Sequence, residues 1–388
     1  MSDEAIKYDA SHIKVLEWPE AVRKRPGMYI GSTGERGLHQ MVFEVAERAV
    51  NEAVAGRASS VGVTLMADGG VRVDDDGPGI PFGAAEDTDG PGLEAVLTEL
   101  SAGARPVDRR TVTVALVGLG PAVTNALSSR LTAEVRREGV RWVQEYACGV
   151  AIAPPTAAGP ATGSGTTITF RPDATLFETT ECSFAVLAEY FRELAFLNRG
   201  LDISLTDERP PGGPQAARFR FLGGVRDFVT SLRARSGAYL RTDVVAFERE
   251  DPRMAGTMEV ALGWCGSREE RVRSFANSMA TPYGGAHEVG LRDGAAAALD
   301  AYARARGLLT AADPGLGADR IGQGLTAVVS VKLDHPEFVG AARGELGNGP
   351  VRACVGEAVR EHLGAWLEQN PGQAEAVITE ILRADTLD

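Results

Sequence analysis

The chain is 388 residues long, which implies two or three domains rather than one. Its 44% hydrophobic and 24% charged residues exclude a wholly disordered protein. A net charge of −13 argues against unspecific attraction to nucleic acid, and no run approaches the ~18 apolar residues of a membrane span.

The charged start, MSDEAIKYDA, lacks an apolar signal core. Cys148, Cys182, Cys265 and Cys354 lie far apart, with no CxxC pair, against a zinc site or a disulfide scaffold. A cytoplasmic protein with free thiols and no metal site is expected.

Residues 1–35 read as a polar arm, a short helix around EAVRKRPGMYIG and a glycine turn. Residues 37–56 form the clearest helix: Leu38, Val42, Val45, Ala49 and Ala53 recur at helical spacing, and Gly56 follows as a stop. SVGVTLMA and GVRVDD alternate like strands around Asp68-Gly69-Gly70, which predicts a hairpin. The pattern then predicts helices at 92–101 and 121–130, strands at 131–137, 141–147 and 165–170, a helix at 183–197 and a loop at 208–217. Past a boundary near 220 come a helix, strands at 257–264 and 270–276, a helix at 286–306, a strand at 325–332 and helices at 348–369 and 371–384.

Three features carry chemistry. Glu44 lies on the clearest helix, Asp74-Asp75-Asp76 ends a strand before Gly77-Pro78-Gly79, and Gly118-Leu119-Gly120 precedes a helix. A carboxylate at a strand end accepts a hydrogen bond from a ligand amino group. Glycines ahead of a helix let backbone N–H groups approach phosphates. Each feature alone is most often structural: a turn, a tight connection, a solvated helix face.

Wording and order are more specific. YDASHIKVLEWPEAVRKRPGMYIGST, GLHQMVFE, DDGPGIP, GTTITFRPD, FRELAFLNRG, FANSMATPYGGAHEVGLR and GLTAVVSVKLDHPEF resemble the N-terminal region of the DNA gyrase B subunit and its topoisomerase IV counterpart. The resemblance covers essentially the whole chain. It implies an α+β fold. Residues 1–220 would be an ATP-binding domain of the gyrase, Hsp90, histidine kinase and MutL superfamily, an open mixed sheet with helices on one face. Residues 221–388 would be an α/β transducer domain, ending where the family's metal-binding cleavage domain would begin.

The resemblance also implies roles. Glu44 matches the general base that activates water. Asp75 matches the aspartate that receives the adenine amino group, with Gly79 in its turn and Thr166 beside the adenine. Arg137 matches an arginine at the pocket mouth that contacts coumarin inhibitors. Tyr8 lies in an arm that crosses into a partner's nucleotide site, so a ligand-dependent homodimer is expected.

Departures from the family pattern bear on turnover. Arg48 stands in place of the asparagine that ligates magnesium, and a guanidinium offers Mg²⁺ no oxygen. The phosphate lid reads Val114-Ala115-Leu116-Val117-Gly118-Leu119-Gly120 and lacks two glycines and a histidine. Arg105 replaces a lysine, Arg343 stands in the loop that reaches the γ-phosphate, and Pro78 replaces an arginine. Glu44 and Arg48 share a helix face, so a salt bridge between them is expected if Arg48 points inward; otherwise Arg48 covers the helix. Asn51 is an alternative metal ligand. The resulting expectation is a nucleotide-binding module with ATP as ligand, little use of Mg²⁺ and weak or absent hydrolysis. The alternatives are a non-catalytic paralogue that binds a gyrase inhibitor or pairs with the gyrase B subunit, and a repurposed enzyme. Direct DNA binding is expected to be weak.

Overall fold

The computed structural model describes residues 16–82, 92–100, 119–209, 211, 213–234, 242–266, 269–340 and 344–384. In chain order the first unit contains α1 (Trp18–Lys24), α2 (Gly27–Ile30), α3 (Glu35–Val54), β1 (Val61–Leu65), β2 (Val71–Asp75), α4 (Leu93–Thr98), α5 (Pro121–Ala126), β3 (Ser128–Arg137), β4 (Val140–Ala147), β5 (Val150–Ala151), β6 (Thr156–Pro160), β7 (Gly165–Pro172), α6 (Phe184–Leu197), β8 (Ile203–Asp207) and β9 (Gln215–Phe219). The strands form one nine-stranded mixed sheet in the order β5-β4-β3-β7-β2-β1-β8-β9, with β6 also paired to β4. β1 and β8 run parallel, while β1–β2 is the expected hairpin.

The apolar stripe of α3, Leu38, Met41, Val42, Val45 and Ala49, is buried. It packs over β1, β2 and β7, whose inward residues Val61, Val63, Val73 and Ile168 complete the core. This packing brings the polar inner side of α3 to the end of β2.

The second unit contains α7 (Val225–Ala234), β10 (Val245–Asp251), β11 (Gly256–Trp264), β12 (Arg271–Ala276), β13 (Met279–Ala280), α8 (Ala286–Ala305), β14 (Leu325–Leu333), β15 (Phe338–Val339), β16 (Glu345–Leu346), α9 (Gly349–Gln369) and α10 (Pro371–Ala384). Its main sheet runs β10-β11-β14-β12-β13. β14 is buried on both sides: one face is wholly apolar, while the other alternates Val328 with Thr326, Ser330 and Lys332. Leu325, Ala327, Val329, Val331 and Leu333 face the core of α8, α9 and α10, while Val328 packs with Phe196, Phe228 and Phe275. Phe196 at the end of α6 stacks on both Phe221 and Phe228, with ring centres 3.7 and 4.7 Å apart. An aromatic cluster thus joins the two sheets.

Several boundaries differ from those expected. The helix expected at 121–130 stops at Ala126, because Ser128 onward pairs with β7 as a strand. The expected 208–217 loop gives way to edge strand β9 at Gln215, which pairs with β8. β5, β6, β8 and β10 carry no clear sequence signal. Among the described residues no helix is long and apolar enough to cross a membrane.

α8 and α9 approach so closely that a Cβ at Gly294 would lie 2.4 Å from the Gly356 carbonyl oxygen. Gly364, on α9, has nothing within 4 Å of its would-be Cβ. Gly294→Ala is expected to lower the unfolding free energy by about 1–2 kcal/mol, because overpacking against backbone exceeds the gain in helix propensity. Gly364→Ala should raise it by about 0.5–1 kcal/mol. Urea melts of both variants check this; equal effects would contradict it.

Candidate functional site

α3, the β2 end and the start of α5 meet in one place. Glu44 is 2% exposed, and both carboxylate oxygens are taken. Oε1 accepts from Gln40 Nε2 at 3.0 Å, and Oε2 accepts from the Gly120 N–H at 2.8 Å. Burial pushes the Glu44 carboxyl up to about 7; the hydrogen bonds from Gln40 and Gly120 oppose the rise without cancelling it. Sequence reasoning missed Gln40 as a site residue. The signal that could have found it is its position four residues before Glu44 on a helix.

Arg48 points inward, but not to Glu44. Its Nη1 lies 2.5 Å from Asp75 Oδ2, and its Nη2 donates to Thr166 Oγ1 at 3.0 Å. The expected Glu44–Arg48 bridge is therefore corrected. The cause is competition for acceptors. Glu44 already accepts from two neutral donors, and burial disfavours its charged form. Asp75 is 2% exposed and has one oxygen, Oδ1, held by the Gly77 N–H at 2.9 Å, leaving Oδ2 open to a cation. A guanidinium pairs with carboxylate and hydroxyl together because its N–H groups are coplanar.

The neighbouring backbone fixes this arrangement. Asp75 and Thr166 face each other across the β2–β7 pair. Thr166 Oγ1 also accepts the Ile80 N–H at 3.2 Å, which ties the turn after β2 to β7. Gly79 has φ 79°, and a Cβ there would lie 2.9 Å from the Arg136 carbonyl oxygen, so the turn takes glycine. Arg137 Nη1 donates to the Gly79 carbonyl at 3.3 Å and its Nε to Glu138, placing it at the rim. Phe82 and Trp142, with centroids 5.1 Å apart, form a half-buried aromatic pair close by that sequence reasoning missed.

Glu44, Arg48, Asp75, Gly79, Gly120, Thr166 and Arg137 are thus brought together. Tyr8, Arg105, Gly118 and Arg343, and with them most of the lid and the N-terminal arm, lie outside the described residues.

Among the described residues the donor set does not favour Mg²⁺: where the family resemblance places an oxygen ligand, Arg48 presents N–H groups. Asn51 is half-buried one turn further along α3. Among the described residues no group of three or more His, Cys, Asp or Glu is arranged to hold a metal.

Comparison with known proteins gives the lineage. Residues 33–176 match the family of histidine kinase-, DNA gyrase B- and HSP90-like ATPases, and residues 224–387 match DNA gyrase B. The 43K ATPase domain of Thermus thermophilus gyrase B, solved with an aminocoumarin, superposes with a TM-score of 0.78 at 33% identity, covering 94% of each chain. The chain belongs to the gyrase B family, in its ATPase and transducer region. Its sequence is 44% identical to the DNA gyrase B subunit of Streptomyces coelicolor over 398 residues. It is 42% identical to the novobiocin-resistant gyrase B subunit of Streptomyces niveus over 393 residues. In both cases 98% of this chain is matched, and it spans 58% of the relative's length. The B subunit of Myxococcus xanthus gyrase also superposes with a TM-score of 0.78, at 26% identity, over 94% of this chain and 99% of that one.

The raised Glu44 pKa has a sign that can be checked. Between about 4.5 and about 7 the folded gyrase B-type domain keeps a proton that the unfolded chain releases, so stability is lost as pH rises through that window. Glu44→Gln removes the dependence. Its stability advantage over the parent chain should grow by about 2–3 kcal/mol from pH 5 to pH 8 in urea melts. An advantage that does not change with pH would show that Glu44 titrates normally.

Proposed function

We propose that this gyrase B-type module binds nucleotide but hydrolyses it weakly or not at all. The observation that carries the reading is the commitment of Arg48 to Asp75 and Thr166 at the position where the family resemblance puts a magnesium ligand. In-line attack on a γ-phosphate needs an oriented water, a base and neutralisation of the leaving phosphates. Glu44 offers a poor base while Gln40 and Gly120 occupy its oxygens. An arginine neutralises phosphate charge but does not template β- and γ-oxygens as Mg²⁺ does. General-base assistance is worth ~10²–10⁴-fold and does not replace a lost metal and lid. In the lid, Val114 and Ala115 stand where the family pattern has glycines that let backbone approach phosphate.

Nucleotide occupancy would drive closure with a second copy of the chain, or with a gyrase B subunit, through the 1–20 arm that carries Tyr8. Any ligand that uses Asp75, nucleotide or inhibitor, must first displace Arg48.

Steady-state phosphate release with ATP and Mg²⁺ tests the proposal, alongside sedimentation with and without nucleotide. Turnover should lie at least ~10²-fold below that of an intact gyrase B subunit and change little in Glu44→Ala. Arg48→Asn alone should not restore it. Robust magnesium-dependent hydrolysis that Glu44→Ala abolishes would refute the reading.

A further inference from the structure

We propose that Arg48 is a built-in occupant of the purine seat and the specificity-determining residue of the site: it bars neutral amino heterocycles and yields only to ligands that carry phosphate. The inference rests on the reading that the module binds nucleotide without turning it over.

The argument starts from what the seat offers. Asp75 Oδ2 and Thr166 Oγ1 are buried acceptors side by side on β2 and β7, and Arg48 donates to both. An aminopurine presents to such a pair the same kind of group, an N–H donor on a flat, delocalised frame. Guanidinium and base therefore compete for the same acceptors.

The competition is unequal for a neutral ligand. Arg48 brings a full charge to a carboxylate whose side chain is 1% exposed, and the pair is joined by a charge-assisted hydrogen bond. A base that displaced it would replace an ion pair with a neutral hydrogen bond. It would also leave a guanidinium to be accommodated in a largely buried position. Glu44, one turn earlier on the same face, already accepts from Gln40 and Gly120 and is the more weakly ionised carboxylate through its burial.

A nucleotide changes the balance. Its phosphates bring the counter-charge that the released guanidinium needs, in a pocket that offers no other free carboxylate among the residues bonded to Arg48, Asp75 and Glu44. Arg48 is largely buried but not sealed, since its side chain is 17% exposed. A guanidinium has five N–H donors, and only those to Asp75 and Thr166 are in use here. Released, it supplies N–H donors to phosphate oxygens directly. Binding would then require no Mg²⁺, would weaken with salt, and would fall steeply from triphosphate to nucleoside.

The test is calorimetric titration of the full chain with adenosine, and with ATP in EDTA, in the parent protein and in Arg48→Asn. The asparagine side chain is polar but too short to fill the seat. The parent should bind ATP in EDTA at least tenfold more tightly than adenosine. Arg48→Asn should bind adenosine at least tenfold more tightly than the parent and lose affinity for ATP in EDTA. Arg48→Ala, which orphans the Asp75 carboxylate, should regain thermal stability when methylguanidine is added, whereas the parent should not. If Arg48→Asn leaves adenosine affinity unchanged, or if the parent binds adenosine as well as ATP or binds neither, the proposal is overturned. Should neither variant fold, the parent's preference between the two ligands still decides. Phosphate release plays no part in this readout, so failure here is separable from failure of the hydrolysis reading.

Discussion

A carboxylate at the inner end of a central strand cannot stay buried without partners. Asp75 is that group, and the arrangement of the pocket follows from how it is satisfied. The Gly77 N–H supplies one oxygen's partner from within the turn. Arg48 supplies the other from α3, across the space where the family resemblance places a base. That single cross-link ties the helix to the strand. Through Thr166 it also reaches β7, and through the Ile80 N–H it reaches the glycine turn. A residue that reads on paper as a damaged metal ligand is, in the fold, the partner that makes the buried aspartate tolerable.

The same constraint accounts for the state of Glu44. With Arg48 drawn to Asp75, no cation among the described residues holds the charge of Glu44, and burial dominates its titration. Its oxygens are satisfied instead by neutral donors from Gln40 and from the backbone at Gly120. Two acidic residues in one pocket thus sit in opposite electrostatic surroundings, one ion-paired and one desolvated. In an active hydrolase such a division would separate roles. Here it leaves Glu44 buried and held by neutral donors, and Asp75 occupied by Arg48.

Much of the fold was legible in sequence. The α3 stripe, the Asp68-Gly69-Gly70 hairpin and the long helices α8 and α9 carry strong local periodicity, and the structure places them within a few residues of expectation. Edge strands were not legible. β6 is exposed along its whole length and β9 along most of it, so neither shows the alternation that marks a half-buried strand. Ser128–Arg130 belongs to a strand because β7 is there to pair with it, which no local pattern reports. In the site, the inward position of Glu44 and the placing of Asp75 and Thr166 about one site were anticipated from family resemblance; their pairing across β2 and β7 was not. Nor was the choice of Arg48 between two acidic partners. Helix spacing favoured the nearer carboxylate, whereas the structure gives Arg48 a carboxylate and a hydroxyl together at Asp75 and Thr166.

The central claim is that Arg48 and Asp75 are energetically coupled across the pocket. A double-mutant cycle with Arg48→Ala, Asp75→Asn and the double variant, read by urea unfolding in the absence of ligand, measures that coupling directly. The account predicts that Arg48→Ala is strongly destabilising in the parent chain and much less so in the Asp75→Asn background, with a coupling energy of about 2 kcal/mol or more. A coupling near zero, with Arg48→Ala equally costly in both backgrounds, would contradict it.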